Sequence, residues 1–285
     1  QPTRPLEFLL VPQQLTSNVV SPPIAIGRPF PGQPGPEIDI DDRTSVVEGP
    51  YKFYNNTKLT SFNATWDVAG HRPSYSGGFE RFTESGDRDT DIANVIPGWS
   101  NQQLVRIKGL QRTHELRVES TGTRFWNYMV GAYNSYGDAS AGFEQPFPYF
   151  YPGPFSPPMQ AILKGSTADG SFSESTAVFT DHRFAINEAD QLQFGLRMQK
   201  SRSYSQQYSE IFGNKIQALP DDRARMEDTA WTGSASYRHN FNKNVMAYAS
   251  VGTGYRPGGT TGFVTTPGLS ADLINYRAEK STSFE

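Results

Sequence analysis

The sequence predicts an all-β fold, an antiparallel up-and-down transmembrane β-barrel, from two patterns in its 285 residues. First, apolar residues recur at every second position in successive segments, which is typical of strands with one apolar and one polar face. Second, the links between these segments alternate between short and long. In transmembrane barrels all tight turns lie at one end and all long loops at the other. We therefore expect eight strands and a ninth that begins near Arg277.

Six of the predicted strands have an apolar row free of charged residues. A Lys or Arg at the bilayer midplane costs about 2–4 kcal/mol, so charge-free rows favour contact with lipid. Segments 174–183 and 245–254 give weaker predictions because both of their faces carry apolar side chains. The six rows are Phe62 to Val68, Tyr75 to Phe79, Leu116 with Val118, Trp126 to Ala132, Leu192 to Met198, and Trp231 to Tyr237.

Short links are predicted near residues 69–73, 120–124, 184–190 and 240–244, and long links near 83–109, 135–173, 201–228 and 255–276. Proline lacks the amide hydrogen that a central ladder needs, so the 21 prolines are expected to mark loops. Ten of them lie in the first 50 residues. We therefore predict an irregular, Pro-rich extracellular segment over residues 1–57 and a partial barrel over residues 58–285. For residues 1–57, an incomplete strand pair and the tail of a missing domain are the alternatives.

Composition and motifs argue against several function classes. The net charge of −3 provides no basic stripe for nucleic acid, so no nucleic-acid partner is expected. No apolar run approaches the roughly 18 residues of a membrane-spanning helix. Without cysteine there is no thiol nucleophile, and no Gly-x-Ser-x-Gly elbow occurs. The histidines also lack metal-ligand spacing. We predict no catalytic residue, no metal and no cofactor, and hence no enzyme.

Alternation alone does not distinguish a barrel from a soluble sandwich. The alternative hypothesis is a secreted β-rich protein that binds carbohydrate through an aromatic loop. A third is an adhesin or an outer-membrane enzyme barrel with fewer strands. A second sheet packed against the row Leu192 to Met198 would exclude the membrane barrel.

Several segments resemble the barrel of TonB-dependent outer-membrane receptors, over roughly residues 58–285. The most specific is the run from Asn244 to Gly259, which reads NVMAYASVGTGYRPGG. The others are Gly78 to Phe82, His114 to Ser120, Trp126 to Tyr133, Gln193 to Arg197, and Tyr276 with Glu279 to Ser281.

The resemblance implies a 22-stranded barrel whose lumen is closed by a plug domain. About nine strands are predicted here and no plug or TonB box is recognised, so we expect a fragment of such a barrel. The implied function is import of a scarce, bulky solute across the outer membrane of a Gram-negative bacterium. Ferric siderophores, cobalamin-like compounds and oligosaccharides are the candidate ligands. The implied partners are outer-membrane lipid and the TonB-ExbB-ExbD complex, acting through a plug that this chain does not contain.

Aromatic residues interspersed with prolines in the longest predicted loop are the candidate ligand contacts. Flat rings stack on sugars or aromatic chelators, and proline lowers the entropy cost of ordering a loop. Alternatively, these rings pack on one another to hold the loop. They are Phe143, Phe147, Tyr149, Phe150, Tyr151 and Phe155.

Further candidates concern the membrane boundary and the charged residues. Aromatic girdles form at headgroup level, and the girdle candidates are Trp66, Trp126, Trp231 and Tyr248; burial in a soluble core is the alternative.

The acidic residues Glu84, Asp87, Asp89 and Asp91 resemble the start of a calcium loop. Counted from Asp87, the calcium-loop pattern requires Gly at the sixth position and Glu at the twelfth, where this sequence has Ile92 and Gly98. A solvated acidic loop is therefore favoured. Glu115 and Glu119 share the strand parity of Arg117, which predicts an inward ion-pair ladder rather than a glycosidase pair.

Overall fold

Strands dominate the part of the chain that the computed structural model describes, which is residues 6–20, 41, 49, 51–89, 102–122, 124–149, 159–167, 171–205, 207–211, 213–217, 225–260 and 275–285. No helix in these residues has the length and apolarity needed to cross a bilayer. The strands are β1 (Glu7–Val20), β2 (Tyr51–Thr65), β3 (His71–Asp89), β4 (Gln102–Ser120), β5 (Trp126–Tyr149), β6 (Met159–Thr167), β7 (Phe172–Ala185), β8 (Asp190–Tyr204), β9 (Gln207–Ile211), β10 (Asn214–Gln217), β11 (Arg225–Asn242), β12 (Val245–Arg256), β13 (Gly259–Thr260), β14 (Asn275–Tyr276) and β15 (Glu279–Phe284).

Ten of these strands follow one another across a single sheet in the order β1-β2-β3-β4-β5-β7-β8-β11-β12-β15. Every neighbouring pair in this path is antiparallel. β6 pairs with the end of β5 and with β9, which pairs with β10, and β13 pairs with β14 in a separate small sheet. The predicted up-and-down antiparallel architecture is confirmed.

All tight turns of the main sheet lie at one end. β2 and β3 are joined through residues 66–70, and the other tight links are 121–125, 186–189 and 243–244. Backbone geometry and side chains explain their sharpness: Gly70 and Gly122 have φ of 76° and 90°, and the Asn242 Oδ1 atom accepts a hydrogen bond of 2.8 Å from the Asn244 amide. We call this the tight-turn end of the sheet.

The strands extend beyond the predicted apolar segments at the opposite, long-link end. β3 continues to Asp89 and β4 begins at Gln102, inside the predicted loop 83–109. β5 continues to Tyr149 and carries two prolines, Pro146 and Pro148. The prediction that prolines mark loops is therefore wrong at these two positions, at Pro73 in β3 and at Pro12 in β1. Beyond the apolar band the strands remain paired by backbone hydrogen bonds, but apolar and polar residues no longer alternate along them.

The prediction of an irregular segment over residues 1–57 is also wrong for its described part. Glu7–Val20 forms β1, which pairs along its whole length with β2, and β2 begins at Tyr51. β1 escapes a period-two pattern because Phe8 to Val11 is apolar at both parities. Its proline is tolerated because β1 pairs with β2 alone among the described strands, as an edge strand does. Most of residues 21–50 lies outside the described residues.

The register brings the predicted apolar rows into one continuous band. A single register row crosses eight strands and carries an apolar side chain or Tyr in each, in the order Phe8, Ala64, Tyr75, Leu116, Ala132, Val178, Met198 and Trp231. The side chains remain exposed: Phe8 is 64% exposed, Leu116 55% and Val178 50%. We call this surface the apolar face and the opposite surface the polar face.

Almost no apolar side chain is buried by protein. Within the described residues only Ala177 and Ala230 are buried hydrophobics. No second described sheet packs on the row Leu192 to Met198, and Leu192, Phe194 and Leu196 are 37%, 40% and 46% exposed. The sandwich required by the secreted-protein hypothesis is absent from the described residues. A one-layer sheet with an uncovered apolar band fits a membrane barrel, in which lipid covers that band.

We expect Gly122→Ala to lower the free energy of unfolding by about 1–2 kcal/mol, because φ of 90° is strained for any residue with a Cβ. Sterics do not contribute, since an added Cβ would meet no atom within 4 Å. Denaturant titration in lipid vesicles measures the effect. Gly137→Ala is the control, because its Cβ would find ordinary contacts and its φ is not positive. Equal losses in both variants would contradict the backbone explanation.

An added charge on β8 should lower the free energy of unfolding much more on the apolar face than on the polar face. Leu196→Arg places a guanidinium in the apolar band and should lower the free energy of unfolding by about 2–4 kcal/mol. Gln193→Arg places the same group on the polar face beside Asp181 and should cost less than about 1 kcal/mol. Denaturant titrations of both variants in the same vesicles provide the comparison. Similar costs would show that lipid does not cover the apolar band.

Candidate ligand site on the polar face

Ion pairs line the polar face near the tight-turn end. The Nε atom of Arg72 donates to the Asp67 carboxylate at 2.6 Å, and Arg72 Nη1 lies 3.5 Å from a carboxylate oxygen of Glu119. Arg117 pairs with Glu115, and both of these residues lie on β4 with Glu119. The predicted ion-pair ladder is confirmed. With their charges already paired, Glu115 and Glu119 act as structural groups.

A row of hydroxyl side chains crosses the polar face farther from the tight turns. Its members lie directly opposite one another across β4, β5, β7 and β8, in the order Thr113, Ser135, Ser175 and Ser201, and the carboxylate of Asp228 continues the row on β11. In the next row Ser173 faces Ser203. We call Ser135, Ser173, Ser175, Ser201 and Ser203 the serine wall. Sequence analysis does not identify it because Ser135, Ser173, Ser201 and Ser203 fall in predicted long links, and Ser175 falls in the weakly predicted strand 174–183. The signal was present as serine at alternate positions in the segments 171–175 and 201–205.

Two adjoining clefts open along the serine wall. One has a volume of about 380 Å³ and is lined by Ser173, Ser175, Ser201, Ser203 and Asp228, among others. The second has a volume of about 690 Å³ and shares Ser173 and Ser203 with the first. Both volumes fall within the range of about 300–1,000 Å³ that is typical of small-molecule sites. The clefts therefore provide room for a ligand beside the serine hydroxyls.

The hydroxyl groups can both donate and accept hydrogen bonds. One of them has no partner: the buried Ser175 Oγ atom makes no hydrogen bond. Buried polar atoms are normally satisfied, so this hydroxyl is available to water or to a ligand oxygen or nitrogen. The wall can bind a polar, oxygen-rich molecule without covalent chemistry.

Arg197 adds a fixed positive charge on the same face, four residues before Ser201 along β8. Its guanidinium lies 5.6 Å from the ring centre of Tyr133 and 5.7 Å from that of Phe179. Its Nε atom donates to Gln199 at 3.1 Å. No described carboxylate forms an ion pair with Arg197, so its charge remains available to an anionic ligand.

The predicted aromatic site is only partly described. Phe143, Phe147 and Tyr149 lie in β5 and not in a loop, paired with residues 159–165 of β6. This corrects their assignment to a loop. Phe143 is half-buried. Phe150, Tyr151 and Phe155 lie outside the described residues, so a ligand role for the segment stays a prediction.

The girdle candidates occupy different positions. Trp66 follows β2 and Trp126 begins β5, both at the tight-turn end, and Trp126 Nε1 donates to His182 at 3.1 Å. Trp231 lies on the apolar face within β11. Tyr248 is directly opposite Arg238, a residue of the polar face. The girdle assignment of Tyr248 is therefore wrong, because both parities of β12 carry apolar residues and sequence alone selected the wrong one.

The acidic segment is a strand end rather than a solvated loop, which corrects the prediction. Glu84, Asp87 and Asp89 belong to β3, and Asp89 is 1% exposed. Its carboxylate accepts a hydrogen bond of 2.9 Å from the Gly49 amide. Asp91 lies outside the described residues. Among the residues that are described, no cluster of three or more His, Asp or Glu side chains could hold a metal ion.

The sequence profile described as "TonB dependent receptor-like, beta-barrel" matches residues 11–285. The chain belongs to this family. A search of curated protein sequences finds no match. In a TonB-dependent receptor barrel the apolar face is the lipid face and the polar face lines the lumen, so the serine wall and Arg197 lie in the lumen.

Solved structures share this fold. The ferric yersiniabactin uptake receptor FyuA from Yersinia pestis aligns with 98% of this chain at 17% identity and a TM-score of 0.69. BauA, the ferric preacinetobactin receptor from Acinetobacter baumannii, aligns with 99% of this chain at 13% identity and a TM-score of 0.53. The chain spans 39% and 41% of the lengths of these two proteins. The described sheet therefore corresponds to part of a larger barrel.

Proposed function

We propose that this chain forms part of an outer-membrane receptor of a Gram-negative bacterium that imports a ferric siderophore with energy from TonB. The observation that carries the proposal is one sheet with two contrasting faces, an exposed apolar band on one and a wall of serine hydroxyls on the other. Among the structural neighbours, FyuA is the uptake receptor for ferric yersiniabactin and BauA is the receptor for ferric preacinetobactin, which supports the same class of ligand here. Import itself requires no covalent step, so no catalytic residue is needed.

The serine wall and Arg197 fit this ligand class in chemistry as well as in volume. Ferric siderophores present oxygen ligands around the metal and often carry net negative charge. Hydroxyl donors satisfy the outward oxygen lone pairs, and the unpaired guanidinium of Arg197 favours an anion. We further propose that the aromatic segment, including Phe143, Phe147 and Tyr149, contributes ring contacts above the wall.

Uptake of iron tests the proposal directly. A strain that expresses the native receptor should accumulate radioactive iron from at least one chelate in a panel of hydroxamate, catecholate and carboxylate siderophores. Deletion of the receptor gene, or of tonB, should abolish that uptake. Transport of cobalamin or an oligosaccharide alone would retain a TonB-dependent receptor and reject the siderophore. Uptake that persists without TonB would reject the energy source.

Ser201→Phe tests whether the serine wall contacts the imported ligand. A phenyl ring at this position fills part of the smaller cleft and should reduce affinity for the transported chelate by about tenfold or more. Binding of the ligand to intact cells provides the measurement. Ser85→Phe is the matched control, because Ser85 lies on the opposite face of β3 in an exposed position. Unchanged binding in Ser201→Phe would place the ligand elsewhere.

A further inference from the structure

Three basic side chains meet on the lipid face where the apolar band ends, on the side away from the tight turns. Lys58 of β2 is directly opposite Arg81 of β3. Arg112 of β4 is opposite Phe79, two residues from Arg81 along β3 and therefore diagonal to it. All three are exposed. We call them the outer cationic cluster.

The cluster contains a like-charge pair that no carboxylate of the described residues neutralises. Lys58 and Arg81 are directly opposite each other on neighbouring strands. Like charges in this arrangement destabilise a sheet. Among the described residues, none of the three cluster members forms an ion pair. Asp138, a carboxylate on the same face of the neighbouring β5, is not paired with Arg112 either. The arrangement is therefore suited to an external anion.

On the same lipid face, the basic residues of β8, several strands away from the cluster, are neutralised by carboxylates. Arg202 of β8 lies in the same register row as Arg112, and it is 3.1 Å from a Glu227 oxygen and 4.0 Å from a Glu174 oxygen. Lys200 also pairs with Glu227, at 2.5 Å. We call Glu174, Lys200, Arg202 and Glu227 the ion-pair patch. Its presence shows that the unpaired charge of the outer cationic cluster is local and not a general property of this surface.

Aromatic rings place the cluster at the membrane boundary. The rings of Tyr136, Phe172 and Tyr204 form a row across β5, β7 and β8. Tyr136 and Phe172 are stacked with ring centres 6.0 Å apart, and Phe172 and Tyr204 are tilted with centres 6.3 Å apart. The Arg112 guanidinium lies 4.8 Å from the Tyr136 ring centre at one end of this row. Tyrosine concentrates where acyl chains meet headgroups. Arg112 therefore lies at headgroup depth, in the same register row as the exposed Phe79, where the apolar band ends on β3.

We propose that the outer cationic cluster binds the phosphate groups of a phosphorylated lipid headgroup in the leaflet on the long-link side. Guanidinium forks bind phosphate oxygens in pairs, and the ammonium of Lys58 supplies a third point of contact. Such an anion removes the repulsion between Lys58 and Arg81. The proposal rests on the placement of the lipid face in a membrane and not on which solute the receptor imports.

Lipid binding by the native receptor, extracted from outer membranes in an uncharged detergent, tests this proposal. The probes are diphosphorylated lipid A, the same lipid without its phosphates, and inorganic phosphate. The receptor should bind the phosphorylated lipid more tightly than the dephosphorylated one, and added salt should weaken the binding. Neutralising the cluster in Lys58→Gln/Arg81→Gln/Arg112→Gln should weaken it by about a hundredfold.

The matched control is Lys200→Gln/Arg202→Gln, which removes two cations from the ion-pair patch on the same face and should leave lipid affinity unchanged. Equal weakening in both variants would overturn the proposal, as would equal affinity for the two lipids. Inorganic phosphate that displaces the lipid at comparable concentration would identify a free-phosphate site and also overturn it. If the triple variant fails to fold, judged by heat-modifiable gel mobility, the comparison of the two lipids on the unaltered receptor decides. Siderophore uptake is not a readout, so failure of the import proposal leaves this result interpretable.

Discussion

The fold depends on the hydrogen bonds of the backbone in a medium that offers none. Hydrocarbon cannot satisfy an amide or a carbonyl, so a chain that crosses it with strands must pair every strand with neighbours. The ten-strand path meets this requirement, apart from the outer edges of β1 and β15, which have no described neighbour. Burial of side chains by protein contributes little to the stability of the fold, since Ala177 and Ala230 are the only buried hydrophobic residues among those described. Pairing and lipid contact take the place of a protein core.

This constraint assigns different tasks to the two faces. The lipid face has to be apolar in the band, and charge reappears only at its boundary, as at Arg81 and Arg112. The lumen face has no such restriction, so polar groups that would be costly in lipid can accumulate there, including the Arg72 network and the serine wall. The parity of a residue and its position along the strand therefore determine whether its side chain contacts lipid, the membrane boundary or the lumen.

Sequence patterns predict what the bilayer dictates and fail where it does not. The rows Leu192 to Met198 and Trp231 to Tyr237 were predictable because lipid demands period-two alternation there. The ends of β3, β4 and β5 were not, because water bathes both faces beyond the band and no longer selects apolar residues. β1 was missed for the opposite reason, as Phe8 to Val11 is apolar at both parities. Tyr248 shows the same ambiguity within β12.

The serine wall illustrates why a ligand site in such a barrel is hard to recognise from sequence. Its members come from three strands, β5, β7 and β8, and they converge only through the register that joins Ser135 to Ser175 and Ser175 to Ser201. Each serine taken alone resembles a loop residue. Once the tight turns fix the register, however, the polar parity of each strand is fixed beyond the apolar band as well. The constraint imposed by lipid on one half of a strand therefore determines which side chains face the lumen in the other half.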